Sequence, residues 1–260
     1  MNAFEMMKLR GFGESAITYS EFIALNQINR QWYDMCAAPN GDIYASASYD
    51  DIYKQTGGQG NFIALNQANR YWYGMCAAPN GDIYACALYG DIYKQTGGQG
   101  NFTALNQAYR YWYGMCAAPN GDVYVCALSG DIYKQTGGQG NFIALNQANR
   151  YWYGMCAAPN GDVYASARRD DIYKQTGGQG NFIALNQAYR EWYGMCAAPN
   201  GDIYACALFG DIYKQTGGQG NFIALNQAYR EWYGMCAAPN GDVYVCALSG
   251  DIYKMTLTLT

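Results

Sequence analysis

From residue 21 onward, apolar residues come in bursts of five to seven, each closed by Gly, Asn, Asp or Pro, and none follows a helical 3.6-residue spacing. One stretch shows the grammar. WYGMCAA (Trp72 to Ala78) runs into Pro79-Asn80-Gly81-Asp82, and Asn-Gly is among the strongest hairpin signals. IYACAL (Ile83 to Leu88) leads to Tyr89-Gly90-Asp91, then IYKQT (Ile92 to Thr96), then Gly97-Gly98-Gln99-Gly100, then NFTALNQ (Asn101 to Gln107). The pattern predicts four antiparallel strands. It recurs at a 40-residue period, in six units starting at residues 21, 61, 101, 141, 181 and 221. Four strands per unit of that length predict the blades of a β-propeller.

The last unit stops early. It ends DIYKMTLTLT (Asp251 to Thr260), without the fourth strand, while EFIALNQ (Glu21 to Gln27) stands before the first blade with no blade of its own. Residues 21–27 are therefore expected to complete the C-terminal blade and seal the ring, removing open sheet edges. AITYS (Ala16 to Ser20) and MTLTLT (Met255 to Thr260) also read as strands and are expected to extend that clasp. The fold class expected is all-β: a six-bladed propeller with four antiparallel strands per blade. Residues 1–15 form a leader arm and 16–260 a single propeller, with blades 32–67, 72–107, 112–147, 152–187, 192–227 and 232–260 plus 16–27.

Composition narrows the function classes. Half the 260 residues are hydrophobic, only 14% are charged, and Tyr (27) and Gly (32) abound, which suits short strands and tight turns. A net charge of −4 with no basic block offers nothing for nucleic acid to follow. No apolar run reaches the roughly 20 residues that would span a membrane, so no membrane insertion is expected, and no signal peptide is evident. The chain has no His, which removes His-based triads and the usual zinc sites. The cysteines obey the repeat. Cys36, Cys76, Cys116, Cys156, Cys196 and Cys236 share one position; Cys86, Cys126, Cys206 and Cys246 share another, where Ser46 and Ser166 stand in the other two copies. Cys36 and Cys156 persist beside those serines, so the thiols read as small, buried and reduced, which favours synthesis in a reducing compartment.

Differences between copies gather in two places. The link between blades reads Asn29, Asn69, Tyr109, Asn149, Tyr189 and Tyr229 at one position, and Gln31, Tyr71, Tyr111, Tyr151, Glu191 and Glu231 at another. The turn between second and third strands carries Tyr49, Tyr89, Ser129, Arg169, Phe209 and Ser249, within triplets such as Arg168-Arg169-Asp170. In an up-and-down blade both connections emerge on one face, while the PNGD and TGGQG turns of the other face hardly change. That asymmetry points to ligand-facing variation, although exposed turns also drift and the Asn-Gly and Gly-Gly backbones resist change. Beside the variable positions every copy keeps an Arg and a Trp: Arg30 and Trp32, Arg70 and Trp72, Arg110 and Trp112, Arg150 and Trp152, Arg190 and Trp192, Arg230 and Trp232. With the variable Tyr49, Tyr71, Tyr89, Tyr109, Tyr111, Tyr151, Arg169, Tyr189, Phe209 and Tyr229, they form the candidate ligand-binding set. Aromatic faces, guanidinium groups and side-chain amides are the ingredients of sugar recognition. The same Trp could equally plug the space between blades, and the Arg could brace it.

The phrase PNGDIYA followed by DIYK, after a Trp-led strand, resembles the blades of tachylectin-like propellers. That resemblance implies a lectin with sites between adjacent blades. This chain departs from the pattern: its repeat is shorter, six blades replace five, and Asn61-Phe62 and Asn66-Gln67 are separated from Trp72, so family residues do not map one by one. The expectation is a non-enzymatic, multivalent, monomeric binding protein without metal or cofactor, recognising glycans or a protein surface. A protein-binding or structural scaffold (a phage or bacterial surface attachment protein, or an amplified or designed ring without ligand) is the alternative. An enzyme is disfavoured, because the turn carboxylates Asp82 and Asp91 repeat in every copy and no copy carries a unique catalytic set.

Overall fold

In a computed structural model, described for residues 17–259 with side chains from Ser20 to Thr256, six four-stranded units surround a central axis. Blade two is representative: Arg70–Ala77, Ile83–Ala87, Ile92–Gln95 and Thr103–Ala104 pair antiparallel in sequence order. Each inner strand packs beside the next, and the inner strand of blade six packs against that of blade one, so the ring closes. The all-β, six-bladed architecture agrees with the sequence. The expected leader arm, residues 1–15, lies outside the described residues.

Local chemistry sets the turns. The Asn80-Gly81 hairpin is held by Ala78 N–H to the Asp82 carbonyl (2.8 Å) and Gly81 N–H to the Ala78 carbonyl (2.9 Å), with Gly81 at φ 88°, where a Cβ would be strained. The outer strand is shorter than its seven-residue motif, only Thr103–Ala104. The Asp91 carboxylate accepts the N–H groups of Asn106 (2.6 Å) and Gln107 (2.7 Å), and Asn106 turns into the left-handed region at φ 55°. A side-chain acceptor thus replaces the strand ladder and bends the chain toward the next blade.

Blades are joined by hydrogen bonds that the sequence repeats. Gln107 Oε1 accepts the Phe142 N–H of the following blade (3.0 Å), and Gln27 and Gln227 do the same for Phe62 and Phe22 across the closure. Residues 21–27 complete the last blade as expected, with Ile23 opposite Lys254 and Ala24 opposite Tyr253. Beyond it Ile17–Tyr19 pairs with Leu257–Leu259, and Ser20 and Thr256 exchange two further bonds. The alternating Cys/Ser position finds its reason here. Cys86 Sγ accepts the Gly74 N–H (3.3 Å) and donates to the Tyr113 carbonyl of the next blade (3.0 Å). Ser46 and Ser166 reproduce the donation to Tyr73 (2.9 Å) and Tyr193 (2.7 Å). What the position needs is a small donor that also accepts.

At the axis the inner strands approach so closely that glycine is required: a Cβ on Gly114 would run into the Tyr153 carbonyl of the neighbouring strand. Gly114→Ala is expected to lower unfolding stability by about 1–3 kcal/mol, read as a fall in urea midpoint at constant slope. Cys86→Ser should leave that midpoint nearly unchanged. Cys86→Val, which strands a buried N–H and carbonyl, should cost about 1–3 kcal/mol.

Candidate functional site

The two variable stretches meet. The turn of each blade lies against the link that follows it, with Ser48 opposite Tyr71, Leu128 opposite Tyr151, and Arg168 opposite Glu191. Variable residues from adjacent blades therefore touch: Tyr49 packs on Tyr71 at 5.0 Å between ring centroids, and Arg169 Nε donates to Glu191 Oε1 at 2.7 Å. The aromatic side chains among them are exposed as a group, from 43% for Tyr71 to 73% for Tyr229, with Tyr49, Tyr89, Tyr109, Tyr111, Tyr151, Tyr189 and Phe209 between.

The six tryptophans belong to a different layer. Trp32, Trp72, Trp112, Trp152, Trp192 and Trp232 are each 1% exposed. Trp72 lies edge-on to Tyr93 at 5.1 Å and tilted against Phe102 at 6.1 Å, beneath the Arg70 guanidinium, which sits 4.6 Å from the Tyr93 centroid. None of the indole N–H groups has a hydrogen-bond partner, so packing alone holds them. No pyranose reaches a Trp face here, and Arg30, Arg70, Arg110, Arg150, Arg190 and Arg230 act as lids on the aromatic stack. Of the sequence-derived set, only the variable side chains, with outward parts of the arginines, form a surface.

That surface is not symmetric. On blades one to three it is an aromatic arc, Tyr49, Tyr71, Tyr89 and Tyr111, with successive centroids 5.0, 5.6 and 5.3 Å apart. On blade four Arg168 and Arg169 share Glu191, and Arg150 pairs with Asp170 at 2.7 Å. A cavity of about 560 Å³ opens among Asn149, Arg150, Tyr151, Arg168, Arg169 and Asp170. Arg168 turns inward, donating to the Tyr153 hydroxyl (3.3 Å) and lying 5.8 and 6.0 Å over the Tyr153 and Tyr193 rings.

Those rings belong to the central channel, which sequence reasoning passed over. Tyr33, Tyr73, Tyr113, Tyr153, Tyr193 and Tyr233 form a closed circle with neighbouring centroids 4.1–5.0 Å apart. Their hydroxyls influence one another's ionisation, Tyr113 and Tyr233 across the axis among them. Burial, then neighbouring hydroxyls, pushes Tyr73, Tyr113 and Tyr193 well above the usual phenol range. The channel holds a cavity of about 120 Å³ lined by these tyrosines and by the Met, Cys and Ala positions of the six inner strands, where burial raises every thiol.

One carboxylate faces this cavity. Asp34 stands where the other five copies have glycine, beside Ser46, in a strand that carries the same register shift after its Trp as the other blades. Its Oδ1 accepts the Met35 N–H and its Oδ2 the Met75 N–H of blade two, both at 2.8 Å. By surface area it is partly open, but only onto the channel, and its depth in the ring dominates its chemistry. Burial raises its pKa to about 7 against the pull of those two N–H groups. A single Asp among five glycines was the sequence signal that could have found it. The repeated turn carboxylates, by contrast, are structural, as expected. Burial opposes ionisation of Asp82, but Lys94, the Gly97 N–H and Asn80 hold it below the usual range. Among the described residues no group of three or more His, Cys, Asp or Glu side chains is placed to hold a metal ion. No described helix is long and apolar enough to cross a membrane.

No protein-family model matches the chain, and no curated protein matches it in sequence. Solved structures do resemble it. A gluconolactonase from Xanthomonas campestris superposes with a TM-score of 0.72 at 10% identity, covering 91% of this chain and 89% of that one. Virginiamycin B lyase from Staphylococcus aureus gives 0.65 at 12%, covering 94% and 100%. YCF48 bound to a D1 peptide gives 0.57 at 16%, covering 91% and 79%. At these identities the likeness establishes the propeller fold. The tachylectin resemblance gains no support from them. The expectation of a non-enzymatic, lectin-like protein is corrected, because the lactonase and the lyase are enzymes on this fold and the tryptophans meant to receive sugars are buried.

The Asp34 environment has a thermodynamic consequence. Between its ordinary 3.8 and about 7, the folded chain holds a proton that the unfolded chain has lost, so this group makes stability fall as pH rises through that window. Asp34→Gly removes the dependence. Relative to that variant, the parent chain is expected to lose up to roughly 4 kcal/mol between pH 4 and 8, less whatever channel water recovers by solvating the carboxylate. Urea unfolding of both proteins at pH 4, 6 and 8 checks it; parallel profiles would count against a raised Asp34.

Proposed function

We propose that the protein is an enzyme of the acid–base type, with Asp34 as its proton-transferring group and the central channel as its site. The observation that carries this reading is a lone carboxylate, poised near neutrality, facing a cavity from which every other copy has withdrawn its side chain. A group with a pKa near 7 accepts and returns a proton with little penalty at neutral pH. The tyrosine hydroxyls that line the same cavity would supply hydrogen-bond donors for an oxygen that gains charge.

The reaction best suited to these parts is hydrolysis of a small lactone or related ester, the chemistry named for one structural neighbour. Asp34 would take a proton from water as the water oxygen bonds to the carbonyl carbon. A tyrosine hydroxyl would donate to the carbonyl oxygen, the ring C–O bond would break, and Asp34 would return the proton to the departing alkoxide. The product is the open hydroxy acid. The cavity of about 120 Å³ confines the substrate to a small ring or a short ester.

The test uses the sequence's own control, since Asp34→Gly restores the residue of five other blades and should fold. With gluconolactone and p-nitrophenyl acetate as substrates, hydrolysis by the parent chain is expected to rise through about pH 7. Asp34→Asn and Asp34→Gly should lower kcat/KM by on the order of 10²–10⁴. Equal rates in parent and Asp34→Gly, or no hydrolysis above buffer, would remove this assignment.

A further inference from the structure

The aromatic arc on blades one to three is independent of the channel, and its composition specifies a partner. Tyr49, Tyr71, Tyr89 and Tyr111 are all at least 43% exposed yet packed against one another in an unbroken series, a contiguous aromatic surface. Tyr71 and Tyr89 meet at 81° and Tyr89 and Tyr111 at 82°. Perpendicular rings leave slots walled by an aromatic face on one side and an edge on the other. Such slots accept a flat-sided pyrrolidine ring better than they stack a planar base.

Charge narrows the choice. On blades one and four an Asp pairs with the junction arginine, Arg30 with Asp50 and Arg150 with Asp170. On blades two and three glycine replaces that Asp (Gly90 and Gly130), and among the described residues no ion pair is made by Arg70 or Arg110. Blades five and six also lack the Asp, but there Glu191 and Glu231 stand at the next position, where the arc has Tyr71 and Tyr111. Each arginine of the arc therefore keeps a net positive charge, on a chain whose total is −4. The turn holds Tyr49 at φ 52°, as it holds Ser129, Arg169, Phe209 and Ser249 in other blades, a conformation in which glycine would be unstrained and a ring is costly.

We propose that this arc binds an extended acidic segment of a partner protein that contains proline. The ring path is roughly 16 Å long, which about five residues of polyproline II would follow at about 3.1 Å each. Prolines enter the slots between rings, and the acidic side chains meet Arg70 and Arg110. Polyproline II is already ordered before binding, so an open surface such as this one loses less entropy in holding it.

The experiment is fluorescence anisotropy with a short labelled peptide alternating proline and glutamate, set against a lysine-for-glutamate version, a glycine-for-proline version and oligothymidylate. The acidic proline peptide is expected to bind most tightly and to weaken as salt rises. Tyr71→Glu and Tyr111→Glu, which copy blades five and six and should fold as they do, are expected to weaken it at least about tenfold. Tyr49→Gly gives a second readout, with tighter folding and weaker binding together. Undetectable binding of this peptide, unchanged affinity in both glutamate variants, or equal binding of the lysine peptide would overturn the proposal. So would preference for oligothymidylate, which would assign the arc to single-stranded nucleic acid. Asp34→Gly should leave this binding intact, so the outcome is read separately from hydrolysis in the channel.

Discussion

The close approach of six inner strands around one axis is the constraint from which the rest of the structure follows. Each strand presents its backbone to the next at a distance that excludes even a methyl group at Gly74, Gly114, Gly154 and Gly194. With no side chain to separate them, the strands leave a narrow channel, and the tyrosine one residue earlier packs against its two neighbours in a closed circle. Bulk is displaced outward, where Trp, Tyr and Phe of the same blade fill the wedge that widens with radius. The Cys/Ser donors and Gln acceptors then tie each blade to its neighbour.

Against that background Asp34 matters because it breaks the constraint at one place only. The first blade keeps the register of the others, Ser46 accepts the Asp34 N–H as Ser166 accepts that of Gly154, and the N–H groups of Met35 and of Met75 in blade two hold the carboxylate. The carboxylate is held in position but poorly solvated, which is the condition for a proton-transfer group rather than for a stabilising ion pair. Its cost to folding and its suitability for chemistry have one cause.

The outer face obeys a separate logic. Turns and links there pair across the blade junction, so a change at one position meets a change at the other: Tyr49 with Tyr71, Tyr89 with Tyr111, Arg168 and Arg169 with Glu191. The hardware beneath, Arg over Tyr beside a buried Trp, is the same in every copy. A rigid invariant layer thus carries a thin variable one. The two functions proposed here fall on different layers, one at the axis and one at the rim.

The blade count, the four-strand unit and the structural role of the turn aspartates were legible along the chain because local turn chemistry repeats six times, and the closure by residues 21–27 because the last unit lacks its fourth strand. The sequence also showed which positions vary and that they share a face. It did not separate the buried Trp from the exposed Tyr at the blade junction, since both are aromatic and at most three positions apart. Nor did it show that Tyr33 and its counterparts converge. Burial and convergence depend on how strands from different blades pack at the axis, a relation between residues 40 apart in the chain. The weight of Asp34 was decided at the same level: one Asp for Gly is a small change in a sequence, and only the closed ring takes the water away from it.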